Sequence, residues 1–153
     1  MYDIIKYMNN FMQLALEEAK KAYVKDEVPV GAVIVMDGKV IAKTHNMREK
    51  KQNALYHAEV LAINKACKKK RSWRLDGAVM YVTLMPCPMC AGAILNARIA
   101  EVVYATDDEN DKGLFARIMG ENTLNHFTKF RKDDENQFEA KTLLQSFFRQ
   151  RRS

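Results

Sequence analysis

Two short clusters carry residue types that bind metals and move protons: His57-Ala58-Glu59 and Pro86-Cys87-Pro88-Met89-Cys90. Two thiols three positions apart lie on one helical turn and can share an ion, and a histidine from elsewhere completes a set of three. Three protein ligands leave a fourth tetrahedral position for water, which is the catalytic rather than the structural arrangement of zinc. Zinc lowers the pKa of such a water from about 15.7 toward 7, so a nucleophile exists at neutral pH. Glu59 lies two residues from His57, close enough to accept that water's proton and pass it on without becoming a ligand. The expectation is one Zn2+ per chain on His57, Cys87 and Cys90, with Glu59 as the catalytic acid and base.

The elements that must position these groups follow from periodicity. Ile4, Ile5, Met8, Phe11, Met12, Ala15, Ala19 and Ala22 recur at helical spacing and predict a first helix from about Asp3 to Val24. PVGAVIV and KVIAKTH flank Asp37-Gly38, a pair suited to the positive φ values of a type I′ hairpin turn. A second helix is expected over His57–Lys70, a buried strand over Ala78–Leu84, and a third helix from Pro86, where the missing N–H costs nothing. A strand over Ala100–Ala105 and a last helix over Phe138–Arg152 complete the order. Strands alternating with helices after the hairpin predict parallel pairing in an α/β fold, a three-layer α/β/α sandwich around a mixed sheet of about five strands. Active sites of such sheets lie beyond the carboxyl ends of the parallel strands, where Asn46, His57 and Cys87 would gather. Both metal-bearing helix starts would then turn their partial positive ends toward the ion and favour thiolate.

Composition bounds the rest. The 153 residues suffice for one domain over 1–153, and 48% hydrophobic residues exclude a disordered chain. No run approaches the roughly 20 apolar residues of a membrane helix, and the N-terminus lacks a signal-type block. No membrane partner and a cytoplasmic location are expected, with Cys67, Cys87 and Cys90 reduced. The net charge of +6 suits a polyanionic partner without identifying one.

His57-x-Glu59 followed by Pro86-Cys87-x-x-Cys90 is the signature of zinc nucleobase deaminases. EVPVGAV, Asn46, HAEVLAI, YVTLMPCPMCAGAILNARI and the terminal LLQSFFRQRR together resemble the bacterial tRNA adenosine deaminases (the TadA family) of the cytidine deaminase-like superfamily. The resemblance implies a homodimer that converts the wobble adenosine of a tRNA anticodon stem-loop to inosine. It implies that Asn46 hydrogen-bonds the flipped base, that Val30 and Leu84 wall the pocket with Ala58 and Pro86 as further contacts, and that Phe147, Phe148, Arg151 and Arg152 touch RNA. Three stretches depart from the family pattern: Met85 stands where glutamate is usual, Asn53-Ala54-Leu55-Tyr56 replaces an Asp-Pro-Thr-type turn, and the Gly113–Ile118 loop replaces a small-residue run. A deaminase of free guanine, cytidine or an analogue is the alternative, and a silent zinc-bearing subunit a third, disfavoured by the retained Glu59.

Plainer readings stand beside these. A Cys-x-x-Cys can be a redox pair, and a structural zinc would recruit a fourth ligand from Cys67, His45 or His126, none of which has helpful spacing. Asn46 can simply cap a strand end. Arg48, Lys50 and Lys51, with Lys43, flank the expected pocket and suit phosphate contacts, whereas Asp107-Asp108-Glu109-Asn110-Asp111 should place acid on the same edge. Lys68-Lys69-Lys70-Arg71 with Arg74 reads first as a solvated helix end complementing the macrodipole. Leu143, Leu144, Phe147 and Phe148 form a stripe that reads first as core.

Overall fold

A computed structural model describes residues 10–151. Helix α1 (Asn10–Val24) precedes the hairpin β1 (Gly31–Met36) and β2 (Lys39–His45), and the short α2 (Arg48–Lys51) leads to α3 (Ala58–Lys70). Then come β3 (Val79–Leu84), α4 (Pro88–Asn96), β4 (Glu101–Thr106), α5 (Leu114–Glu121), β5 (Lys129–Lys132) and α6 (Gln137–Arg151). The expected residues 3–9 of the first helix, and Arg152, lie outside the described residues.

The sheet order is β2-β1-β3-β4-β5. β1 runs antiparallel to both β2 and β3, while β3, β4 and β5 are mutually parallel. One strand therefore opposes the others, and the carboxyl ends of β2, β3 and β4 share an edge. Asp37 and Gly38 take φ of 51° and 74°, as a type I′ hairpin turn requires. A register shift between Ile34 and Val35 bends β1–β2.

Alternation along the strands builds two cores. Ala32, Ile34, Met80, Val82, Val102 and Tyr104 face Ala62, Ala66, Ile94, Leu95, Phe115 and Met119 of α3, α4 and α5. Val33, Val35, Val103 and Ala105 face Met12, Ala15 and Leu16 of α1 and Ala140 of α6. The result is the expected α/β/α layering. No helix among the described residues is long and apolar enough to cross a membrane.

Three expectations need correction. The third helix starts at Pro88, which takes the first helical position, with Cys87 as its cap and Pro86 buried in the turn before it. Leu114–Ile118 is not a loop: it lies in α5, because Phe115 and Met119 repeat at helical spacing and bury under β4. In the terminal stripe Phe147 is buried, but Phe148 is exposed, because its neighbour already fills the contact with α1. The sequence also gives little sign of β5, a KFRK edge strand whose side chains are mostly exposed.

At Gly31 the sheet lies directly against the backbone of α1. A Cβ there would overlap the Ala15 carbonyl oxygen and sit 2.7 Å from the Ala19 nitrogen. Gly31→Ala should cost about 1–3 kcal/mol of stability through forced repacking. That corresponds to a fall in Tm of several degrees, at about 2–4 °C per kcal/mol for a chain this size. An unchanged melting curve would show that the helix can retreat freely.

Candidate active site

The metal-type residues sit at equivalent places on neighbouring helices. His57 caps α3 with φ −73° and ψ 152°, and Cys87 caps α4 with φ −70° and ψ 170°. A cap residue ordinarily spends its side chain on the first-turn amides. Neither of these does, so both side chains are free to point across the gap. Cys90, one turn into α4, is buried beside them.

Both sulfurs lie 3.6 Å from His57 Nδ1, and all three ligand atoms fall within 4.8 Å of one another. Zn–N of about 2.0–2.1 Å and Zn–S of about 2.3 Å at a tetrahedral angle require an N···S edge of about 3.6 Å. The triangle matches that edge, so this donor set fits a zinc ion in spacing and in chemistry. A hydrogen bond from Cys90 holds the Cys87 thiol down to about 4, with His57 adding to the effect. Cys90 is pushed up, first because it donates that bond and then because it is buried. His57 is raised, chiefly by its bond to Cys87.

Glu59 occupies the first turn of α3, only 4% exposed. Burial is the largest influence on it and lifts its carboxyl to about 7, near the operating range for proton transfer at neutral pH. It opens onto a cavity of about 200 Å³ lined by Val28, Val30, Asn46, Arg48, His57, Ala58, Glu59, Leu84, Met85, Cys87 and Asp108. That is smaller than the roughly 300–1,000 Å³ of drug-sized sites and suits a single heterocycle. An open groove of about 780 Å³ continues from it along α6, sharing Val28, Leu84 and Asp108 and reaching Leu144, Phe148 and Arg149.

Of the residues singled out from the sequence, Val30, Asn46, Ala58, Leu84 and Arg48 line the cavity, whereas Pro86 does not. Lys50 and Lys51 are exposed along α2, outside it. Phe147 packs edge-on against Tyr23 at 6.0 Å, with Arg151 over its ring at 4.3 Å. Arg151 is also tied to Asp26, 2.5 Å from its carboxylate. These two residues therefore fasten α6 to the end of α1, and Phe148, 45% exposed, is the aromatic that faces the groove. His45 is held by Glu18 at 3.0 Å, and His126 by the Ile99 carbonyl at 2.8 Å, so neither joins the triangle.

Two acids lay beyond sequence reasoning as individual residues. Asp108 follows β4, and the rule that sites gather at the carboxyl ends of parallel strands could have singled it out within its acidic run. Glu27 carried no signal. Its side chain is only 1% exposed, and its two oxygens accept the N–H groups of Glu49 at 2.9 Å and Lys50 at 2.7 Å. Next to it the Asn46 amide donates to the Val28 carbonyl at 3.3 Å and accepts the Arg48 N–H at 3.1 Å. One N–H and one lone pair of Asn46 remain for a ligand.

A mixed sheet with a His/Cys/Cys triangle on two helix starts, and a buried carboxylate beside it in a base-sized cavity, defines the hydrolytic nucleobase deaminase class. The family model described as MafB19-like deaminase matches residues 7–152. The tRNA-specific adenosine deaminase of Bacillus subtilis (strain 168) is 48% identical over 118 residues, 76% of this chain and 73% of that one. That of Aquifex aeolicus (strain VF5) is 41% identical over 145 residues, 94% and 95% of the two chains. A solved structure from work on A-to-I editing by tRNA:A34 deaminases at the wobble position superposes with a TM-score of 0.83 at 39% identity, covering 88% of this chain and 99% of the other. The chain belongs to the MafB19-like deaminase family, alongside the tRNA-specific adenosine deaminases.

Glu27→Ala would strip both acceptors from the start of α2. Amide exchange at Glu49 and Lys50 should then accelerate about tenfold or more, the scale of a lost buried acceptor. Exchange at wild-type rates would mean that the loop is held by Asn46 alone.

Proposed function

We propose that the protein hydrolyses the exocyclic amine of an adenosine flipped out of a tRNA anticodon loop, leaving inosine at the wobble position. We also propose that it works as a zinc-bearing homodimer in the cytoplasm, the state implied by the family resemblance. The observation that carries the chemistry is the buried Glu59 carboxyl, opening into a base-sized cavity beside three ligand atoms at zinc spacing. The relatives at 41% and 48% identity, both named tRNA-specific adenosine deaminase, supply the substrate class.

An ion held by His57, Cys87 and Cys90 would supply an acidified water as nucleophile. The chain's own residues do the rest. Val28, Val30, Leu84 and Met85 give the base apolar walls, and Ala58 leaves room at the cavity floor. The spare N–H and lone pair of Asn46 meet one edge of the base and fix its orientation. Glu59 would take a proton from the attacking water and deliver it to the ring nitrogen as C6 becomes tetrahedral, then take the proton of the new C6 hydroxyl and pass it to the leaving amine, which departs as ammonia. Its carboxyl near 7 allows both roles. Arg48 at the cavity, Lys50 and Lys51 beyond it, and Phe148 in the groove would meet the flanking nucleotides.

The direct test is incubation with an anticodon stem-loop and, separately, with free adenosine, guanine and cytidine. The expected products are inosine in the RNA and little turnover of the free compounds. Efficient turnover of a free base or nucleoside, with no inosine in any stem-loop, would overturn the reading. Glu59→Ala should retain zinc and RNA binding while kcat falls by about 10²-fold or more; a loss below tenfold would remove Glu59 from the proton path. Replacing Cys87 and Cys90 together by alanine should abolish bound zinc and activity and lower Tm, because binding free energy is partly folding free energy. Full zinc content in that variant would overturn the ligand assignment.

A further inference from the structure

At the edge of the sheet opposite the cavity, α3 and α4 end and β3 begins. β3 is six residues long, so about 20 Å separates the two edges. Lys68, Lys69, Lys70 and Arg71 are all exposed there, and none has an ion-pair partner among the described residues. The turn that follows presents Trp73, which is 61% exposed. Arg74 and Arg98 stand over its ring at 5.4 and 5.8 Å. Arg74 is also braced by Asp76 at 3.0 Å, and Arg98 by the Leu95 carbonyl at 2.8 Å. An open hollow between Trp73, Asn96, Ala97 and Arg98 completes the face.

The helix macrodipole accounts for lysines in the last turn of α3. It accounts as well for Arg71, the cap of α3, and for Arg98 on the last carbonyls of α4, but not for Arg74 or for a tryptophan left in water. Arg74 spends Nε and Nη2 on the Asp76 carboxylate, and Arg98 spends one nitrogen on carbonyls, so both guanidiniums are fixed in place and their remaining N–H groups meet an anion at a lower ordering cost. Several cations spread over one face, with the lysines free of ion pairs among the described residues, suit the repeated phosphates of a nucleic acid better than a single small anion.

We propose that this face is a second RNA-binding surface, which holds the sugar–phosphate backbone of the substrate tRNA outside the loop that enters the cavity. The proposal rests on the tRNA reading above. Such contacts add affinity without sequence specificity and make binding of the whole tRNA more salt-sensitive than binding of its anticodon arm.

The chain contains one tryptophan, so tryptophan emission, excited selectively over the tyrosines, reports this face alone. The zinc-loaded full chain is titrated with full-length tRNA and with the isolated anticodon stem-loop, beside a Lys69→Glu, Lys70→Glu, Arg71→Glu variant whose changes are all at exposed sites. Full-length tRNA should shift or quench Trp73 emission, and the stem-loop should not. The variant should bind full-length tRNA about tenfold or more weakly, with a shallower salt dependence, while deaminating the stem-loop at the wild-type rate. Emission indifferent to tRNA, unchanged affinity in the variant, or equal weakening toward both RNAs would overturn the second surface. Inosine formation in the stem-loop by the wild type scores the tRNA reading separately, so failure of one is distinguishable from failure of the other.

Discussion

Everything chemical in this protein depends on two helix N-termini meeting at one sheet edge. His57 and Cys87 both sit immediately before a first turn, in extended backbone, with side chains released from capping duty. That places one nitrogen 3.6 Å from two sulfurs before any ligand is considered. The meeting is enforced from below: α3 and α4 are packed on the same face of the sheet by alanines at positions 62, 66 and 91 and by Ile94 and Leu95. β1, inserted antiparallel, lets the hairpin deliver Asn46 to the same edge as the ends of β3 and β4. Burial of Glu59 follows from that geometry, and the buried position gives its carboxyl the affinity for protons that a shuttle requires.

Around this fixed centre the protein places opposed charge. Arg48 and the lysines of α2 stand on one side of the cavity, and Asp108 with its acidic neighbours on the other. The basic side is not left to find its own shape. Glu27, buried and without a cationic partner among the described residues, holds the amides of Glu49 and Lys50, and Asn46 holds the one before them. Fixing a loop in advance lowers the ordering cost that a ligand would otherwise meet. The acidic side is pinned outward by Lys132 on Asp107 and by Lys141 near Glu109, which leaves Asp108 turned toward the cavity.

The centre was legible in the sequence because its chemistry is local. His-x-Glu and Cys-x-x-Cys put their partners within one turn, and each cluster lies where a strand or loop gives way to a helix. The hairpin was legible because Asp-Gly has few other uses between apolar runs. What stayed hidden depends on distant contacts. Glu27 takes its meaning from amides more than twenty residues away, and nothing in EVPVGAV announces them. β5 is an edge strand written in lysine and arginine, a pattern that suppresses edge pairing between molecules and also hides the strand. Phe147 and Phe148 are identical in composition, and only the position of Tyr23 decides which of them is core. Arg151 pairs with Asp26, 125 residues away, a contact that the terminal LLQSFFRQRR does not announce.

In the proposed function, the three side chains at the two helix starts hold one metal ion and leave it one open position. X-ray absorption at the zinc edge of the purified, zinc-loaded protein tests this most directly. Two sulfurs at about 2.3 Å and two lighter ligands at about 2.0–2.1 Å are expected, one a histidine nitrogen and one an exchangeable oxygen. A shell closed by four protein ligands, or one made of oxygens without sulfur, would contradict it.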